Sequence, residues 1–228
     1  AALLFGATLA WAPITTATAA RALAHTFSNT VMIGVPLISL VYGPAGLVAL
    51  FTLVSLHSLV LLTAATLVFE LAQARAGADD GHSMARTVWQ AVRGSIVHPV
   101  PLPILAGLLF AQTGLPRAAL RPMALLLVGI ALAHTRIGAH WRGALRIAAI
   151  KNLVMPSTLA ALAWALGLSG PAVAVMFTAS ALPVGANVLC FTQRYGVMQE
   201  EVSSAIAIST ALALATVPLA LAAARLFM

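Results

Sequence analysis

The sequence predicts an all-α integral membrane protein of about eight transmembrane helices. Three observations carry that expectation: a shortage of charge, apolar runs of membrane-spanning length, and arginines that fall between those runs. Charged residues make up 7% of the 228 residues and hydrophobic residues 61%, with a mean hydropathy of +1.02. A soluble domain carries roughly 25% charged residues because water must solvate its surface. The 12 Lys and Arg and 5 Asp and Glu of this chain are too few for a globule of this size, so lipid is the solvent for most of it. A spanning helix needs about 20 apolar residues at about 1.5 Å each, which leaves room for about eight with short connections. Membrane strands would instead show segments of about 10 residues that alternate in polarity. The runs here are longer, do not alternate, and are rich in Ala and Leu.

The elements follow in order. A first run, Ala1 to Ala20, ends at Arg21, and a second extends from about Leu23 to Tyr42. The turn Tyr42-Gly43-Pro44-Ala45-Gly46 leads to a third, about Leu47 to Leu71. A polar stretch, about Gln73 to Arg93, reads as a loop between two halves. The fourth run opens at His98-Pro99-Val100-Pro101 and reaches Thr113, and a short fifth covers Pro122 to Ala133. Arg136, Arg142 and Arg146 mark the next connection, and a sixth run reaches Leu166. Pro171 follows the turn Gly167-Leu168-Ser169-Gly170 and suits a helix start, where its missing N–H costs nothing. The seventh run extends to Phe191 and the eighth from Met198 to Leu226. The chain starts at Ala1 inside an apolar run, with no charged segment or cleavage site before it, so we expect no signal peptide and a preceding part that is absent.

Alternating crossings place Arg21, Arg75, Arg86, Arg93, Arg136, Arg142, Arg146 and Arg194 on one side, and Arg117, Arg121 and Arg225 on the other. Excess Arg marks the cytoplasmic face. A multi-pass protein of the cell inner (plasma) membrane is expected, with a cytoplasmic 73–95 loop and the C-terminus outside. The net charge of +7 does not imply nucleic acid as a partner, because the basic residues stand singly between apolar runs. Cys190 is the sole cysteine, and neither a metal site nor a cofactor is expected.

Two runs are interrupted in a comparable way, one by Asn29-Thr30-Val31-Met32-Ile33-Gly34-Val35-Pro36 and the other by Pro183-Val184-Gly185-Ala186-Asn187. Proline removes a backbone donor and clashes with the carbonyl one turn back. In lipid the freed groups survive only against protein or a water-filled cavity. Matched interruptions in two halves point to a transporter's midplane site, where half-helix N-termini favour an anion. The alternative is that each proline merely kinks its helix. A Tyr-Gly pair follows each segment (Tyr42-Gly43, Tyr195-Gly196), a faint internal repeat.

Phe27-Ser28-Asn29-Thr30-Val31-Met32-Ile33-Gly34-Val35-Pro36-Leu37 resembles the signature of the auxin efflux carrier family, whose bacterial members include malonate and malate permeases. Ala181 through Asn187, with Gln193-Arg194-Tyr195-Gly196, resembles the matching segment of that family's second half, and Lys151-Asn152-Leu153-Val154-Met155-Pro156 is similar to its eighth helix. The resemblance implies a ten-helix fold of two inverted five-helix repeats, related to the bile acid:sodium symporters, with broken helices crossing beside the substrate site. This chain would then lack the first two helices. Residues 1–72 would be the remainder of the first repeat (three helices), 73–95 the cytoplasmic loop, and 96–228 the second repeat (five helices).

Ser28, Asn29, Thr30, Pro36, Lys151, Asn152, Pro183, Gly185 and Asn187 are therefore the candidate substrate-binding residues. Lys151 lies about seven residues into the sixth run, roughly 10 Å from its cytoplasmic end. A lysine there is either a functional group facing an anion or a side chain that snorkels to the interface. His25, four residues before Asn29 and so on its helix face, and His57 are candidates for proton coupling; an interhelical hydrogen bond is the structural alternative. His82, His98, His134 and His140 read as interfacial. Glu70, Asp79, Asp80, Glu200 and Glu201 all fall at helix ends or in loops, which disfavours a carboxylate proton relay.

The leading expectation is a secondary transporter of small organic anions (malonate, malate or auxin-like carboxylates) working by alternating access. Its partners would be the solute, the bilayer and, as a candidate, a second copy in a homodimer. The alternatives are a sodium-coupled carrier like the bile-acid symporters, whose acidic and Gln-rich crossover helices this sequence lacks, and a truncated fragment that does not transport. An enzyme is not expected, since no nucleophile or paired-acid constellation is present.

Overall fold

The structure, a computed structural model, describes residues 1–76 and 140–228. The expected fourth and fifth helices, the 77–95 part of the loop, and His82, His98 and His134 lie outside the described residues. So do Asp79, Asp80, Arg86, Arg93, Arg117, Arg121 and Arg136.

The first apolar run is two helices, not one. α1 spans Ala2–Ala10 and α2 spans Thr16–Thr26. Thr15 caps α2, its Oγ1 accepting the Thr18 N–H at 3.1 Å, while the Thr18 hydroxyl donates to the Pro13 carbonyl at 2.8 Å. A threonine cap is worth about 1 kcal/mol, and hydropathy, which scores threonine as near-neutral filler, does not register it. Arg21 therefore sits inside α2 and not in a gap. α2 carries Ala19, Ala20, Ala22 and Ala24 fully buried, small side chains that let membrane helices approach closely.

After α2 the chain is extended at Phe27–Asn29, makes a π turn at Thr30–Gly34, and enters α3, Val35–Ala76. Its 42 residues would make a rod about 63 Å long, twice the hydrocarbon thickness. Gly43 (φ 63°, ψ −160°) breaks it into two helical segments, at the turn expected from Tyr42-Gly43-Pro44. The reversal shows in the contacts: the rings of Phe27 and His57, on opposite sides of that turn, stack with centroids 5.5 Å apart. Gln73 to Ala76, expected as loop, continue the helix.

The later part begins with α4, Trp141–Ala149, which passes through a second π turn, Ile150–Val154, into α5, Met155–Ala165. This 25-residue span starts earlier than expected and takes in Arg142 and Arg146. The reason is amphipathicity: Ala144, Ile147 and Ala148 are buried while Arg142 lies exposed over the Trp141 ring, 5.5 Å from its centroid. α6 spans Pro171–Ser180 with proline at its first position, and the chain is non-helical at 181–186. α7, Asn187–Tyr195, ends on left-handed Gly196, and α8 spans Gln199–Ala224 with Glu200 and Glu201 in its first turn, where the helix dipole favours them.

Among the described residues three helices are long and apolar enough to cross a membrane, Thr30–Gln73, Trp141–Ala165 and Gln199–Phe227. Large apolar side chains face outward along them, among them Leu40, Val48, Leu59, Trp164 and Leu214. In water such a surface would be an aggregation liability; in lipid it is the ordinary exterior. Inside, one core gathers Leu23, Phe69, Ile147, Val184, Phe191 and Val202, and a second gathers Ile38, Leu50, Val175, Leu182 and Val217. Leu182 and Val184 flank Pro183, so the α6–α7 break is where the two cores meet.

Candidate functional site: a crossing of two broken helices

The two interrupted segments touch. Ser28 and Val184 form an antiparallel bridge, in which the Asn29 N–H donates to the Pro183 carbonyl at 2.9 Å and the Gly185 N–H donates to the Phe27 carbonyl at 2.8 Å. Each break thus satisfies backbone groups of the other, as buried polar groups in lipid require. Ser28, Asn29 and Thr30 are 5%, 7% and 6% exposed, and Pro183, Val184 and Gly185 are buried. Gly185 permits the approach: a Cβ there would lie 2.7 Å from Phe27 Cδ1 and 3.0 Å from the Ser28 carbonyl oxygen. The first π turn starts at Thr30, two residues after the bridge, and α7 starts at half-buried Asn187, three residues after it.

Prolines explain the π turns. Pro36 and Pro156 have no N–H to give the carbonyls four residues back, those of Met32 and Asn152, and their rings crowd those carbonyls. Both carbonyls lie at the middle of a π turn, Thr30–Gly34 and Ile150–Val154. Widening the turn lets the Val35 N–H reach the Thr30 carbonyl and the Met155 N–H reach the Ile150 carbonyl. Such turns occur frequently at functional sites. Pro36 itself is exposed, one turn beyond the crossing; it shapes the entry to α3.

Lys151 does not snorkel. It is 0% exposed, and its Nζ donates to the carbonyls of Ser180 and Leu182, both at 2.7 Å. Because α4 starts at Trp141, Lys151 lies about 15 Å along the 25-residue span, nearer its middle than the sequence suggested. Its neighbour Asn152, also buried, donates through Nδ2 to the Ser209 carbonyl at 2.9 Å. Ser209 in turn accepts the Val184 N–H on its hydroxyl at 3.1 Å. Lys151 and Asn152 thus hold the α6–α7 break from one side, the second through α8. Asn152 Oδ1 and His57 Nε2 are buried without a hydrogen-bond partner among the described residues.

Other expectations resolve differently. His25 and Asn29 do not share a helix face, because α2 ends at Thr26 and Asn29 follows an extended segment. His25 Nδ1 instead meets the Thr8 hydroxyl of α1 at 3.2 Å, an interhelical contact. The Tyr-Gly pairs do play matched parts. Tyr42 bonds the Thr178 hydroxyl on α6 at 2.9 Å, Tyr195 donates to Glu70 on α3 at 2.9 Å, and each following glycine has positive φ. Ser209 and Phe27 were not singled out from the sequence. Ser209-Thr210, a polar pair inside the last apolar run, was the available signal for the first; Phe27 opens the quoted signature but was given no role there. Among the described residues no group of three or more His, Cys, Asp or Glu could hold a metal ion.

Residues 99–221 match the membrane transport protein family. The chain belongs to that family, the auxin efflux carrier-like membrane transporters. The matched segment includes the α6–α7 break, Lys151, Asn152 and Ser209. The protein is thus an all-α, multi-pass membrane transporter. No curated protein matches the chain.

Proposed function

We propose that the protein carries small organic anions by alternating access, with the solute bound at the helix crossing. The observation that carries this reading is the Ser28–Val184 bridge. Two half-helices start within three residues of that bridge, at Thr30 and Asn187, and half-helix N-termini present partial positive charge to an anion. Ser28, Asn29, Thr30 and Asn187 carry neutral side-chain donors there, and Gly185 permits the close approach. Lys151, behind the break, adds a fixed positive charge. Among the described residues the carboxylates, Glu70, Glu200 and Glu201, all stand near helix ends away from the crossing. Pro36, Pro183 and Asn152 shape and hold the breaks. In this reading the 73–95 loop is cytoplasmic, the C-terminus is outside, and 1–72 and 96–228 belong to two inverted repeats.

The test is uptake of radiolabelled malonate, malate and an indole-type acid by proteoliposomes carrying the full chain. Saturable accumulation of at least one carboxylate, competed by the others, is the expected result. Transport of neutral solutes with no carboxylate uptake would overturn the anion assignment.

A further inference from the structure

Lys151 is fully buried within a span long and apolar enough to cross a membrane, with no carboxylate partner among the described residues. What it meets is the C-terminal end of a half-helix. The last carbonyls of α6 have no full set of helical donors. The Phe177 carbonyl takes the Ala181 N–H and the Ser180 hydroxyl, and the Ala179 carbonyl takes the Leu182 N–H. The Ser180 carbonyl would expect the Val184 N–H four residues on, but that donor goes to Ser209 Oγ. The Leu182 carbonyl lies past the last helical residue. These two oxygens, at the negative end of a helix dipole, converge on one ammonium at 2.7 Å each. Unwound carbonyls and half-helix C-termini at such breaks are the groups that hold a coupling cation in ion-driven carriers. There the ion arrives and leaves in each cycle, whereas an ammonium on a side chain cannot leave.

We infer that Lys151 is a tethered cation occupying a monovalent-cation site built from the Ser180 and Leu182 carbonyls, so that the crossing needs no dissociable metal cation. Removing the side chain exposes that site to a free primary ammonium or Na+. The inference does not depend on which solute is carried.

The experiment measures the Tm of the purified full chain, native and Lys151→Ala, in chloride salts of methylammonium, Na+ and choline at equal ionic strength. The native Tm is expected to be the same in all three. Lys151→Ala should lose stability in choline and recover roughly half or more of the lost Tm in methylammonium, saturably, with a smaller recovery in Na+, as a bound ligand requires. Lys151→Met, whose side chain fills the same space without a charge, should lose stability and recover in none of them. Equal Tm for Lys151→Ala in all three salts, or equal recovery of Lys151→Met, would overturn the proposal. A second arm needs no variant: uptake by native protein should be unchanged when choline replaces Na+, and a strict Na+ requirement would overturn it too. If the native chain takes up no carboxylate while Lys151→Ala still recovers in methylammonium, the anion reading falls and the tethered cation stands.

Discussion

The two breaks that meet at the crossing are supported in different ways. The first, Phe27–Asn29, is three residues long and closes on itself through the π turn that follows, with the second break as its backbone partner. The second, residues 181–186, is twice as long and takes side chains from elsewhere: Lys151 on its carbonyls, and Ser209, held by Asn152, on the Val184 N–H. Both breaks share the bridge, but only the second is also held by side chains of other helices. The second should therefore be the more sensitive of the two to changes elsewhere in the fold.

The largest effect should fall on function and separate the two least. Asn29→Ala and Asn187→Ala remove the polar side chains at the two half-helix starts, and both should abolish uptake in proteoliposomes while membrane insertion stays intact. Normal transport by both variants would remove the crossing as the binding site. A smaller and more selective effect is expected at Ser209→Ala, which leaves the buried Val184 N–H without its acceptor. An orphaned buried donor costs about 1–3 kcal/mol. Measured as Tm in detergent, this loss should exceed that of Thr210→Ala, whose hydroxyl only returns to its own helix at the Ile206 carbonyl. Equal losses would mean that the second break does not lean on α8.

How much of this the sequence announces depends on the range of the interaction. Pro36, Pro183, Gly43, Pro171 and Gly196 impose local backbone consequences, and both interrupted helices, the Gly43 turn and the start of α6 were readable from them. The first run was misread because a threonine cap is a hydrogen-bonding event that hydropathy averages away. Arg142 and Arg146 were placed in a gap because a charge count cannot see that one face of α4 is buried. Lys151 was recognised as out of place, but which carbonyls it meets, 29 and 31 residues away, is a fact of packing. The resemblance implied that the two broken helices cross, but not which backbone groups pair there. The pairing of Ser28 with Val184 is a fact of the fold.

Two glycines offer the finest discrimination between the breaks. Gly34, in the first π turn, would place a new Cβ 2.9 Å from Leu182 Cδ1, the far end of a side chain that can rotate away. Alanine also favours a helical backbone over glycine by about 1 kcal/mol, so Gly34→Ala should be close to neutral in Tm. Gly185 meets the Ser28 carbonyl oxygen at 3.0 Å and its carbon at 3.2 Å, backbone atoms that cannot rotate away, besides Phe27 Cδ1 at 2.7 Å. Gly185→Ala must push the strands apart and strain the bonds from Asn29 to Pro183 and from Gly185 to Phe27. Loss of even one costs about 1–3 kcal/mol, and uptake should fall with it. A Gly34→Ala loss as large as that of Gly185→Ala would show that the first break is as dependent on its surroundings as the second, and the contrast between them would not hold.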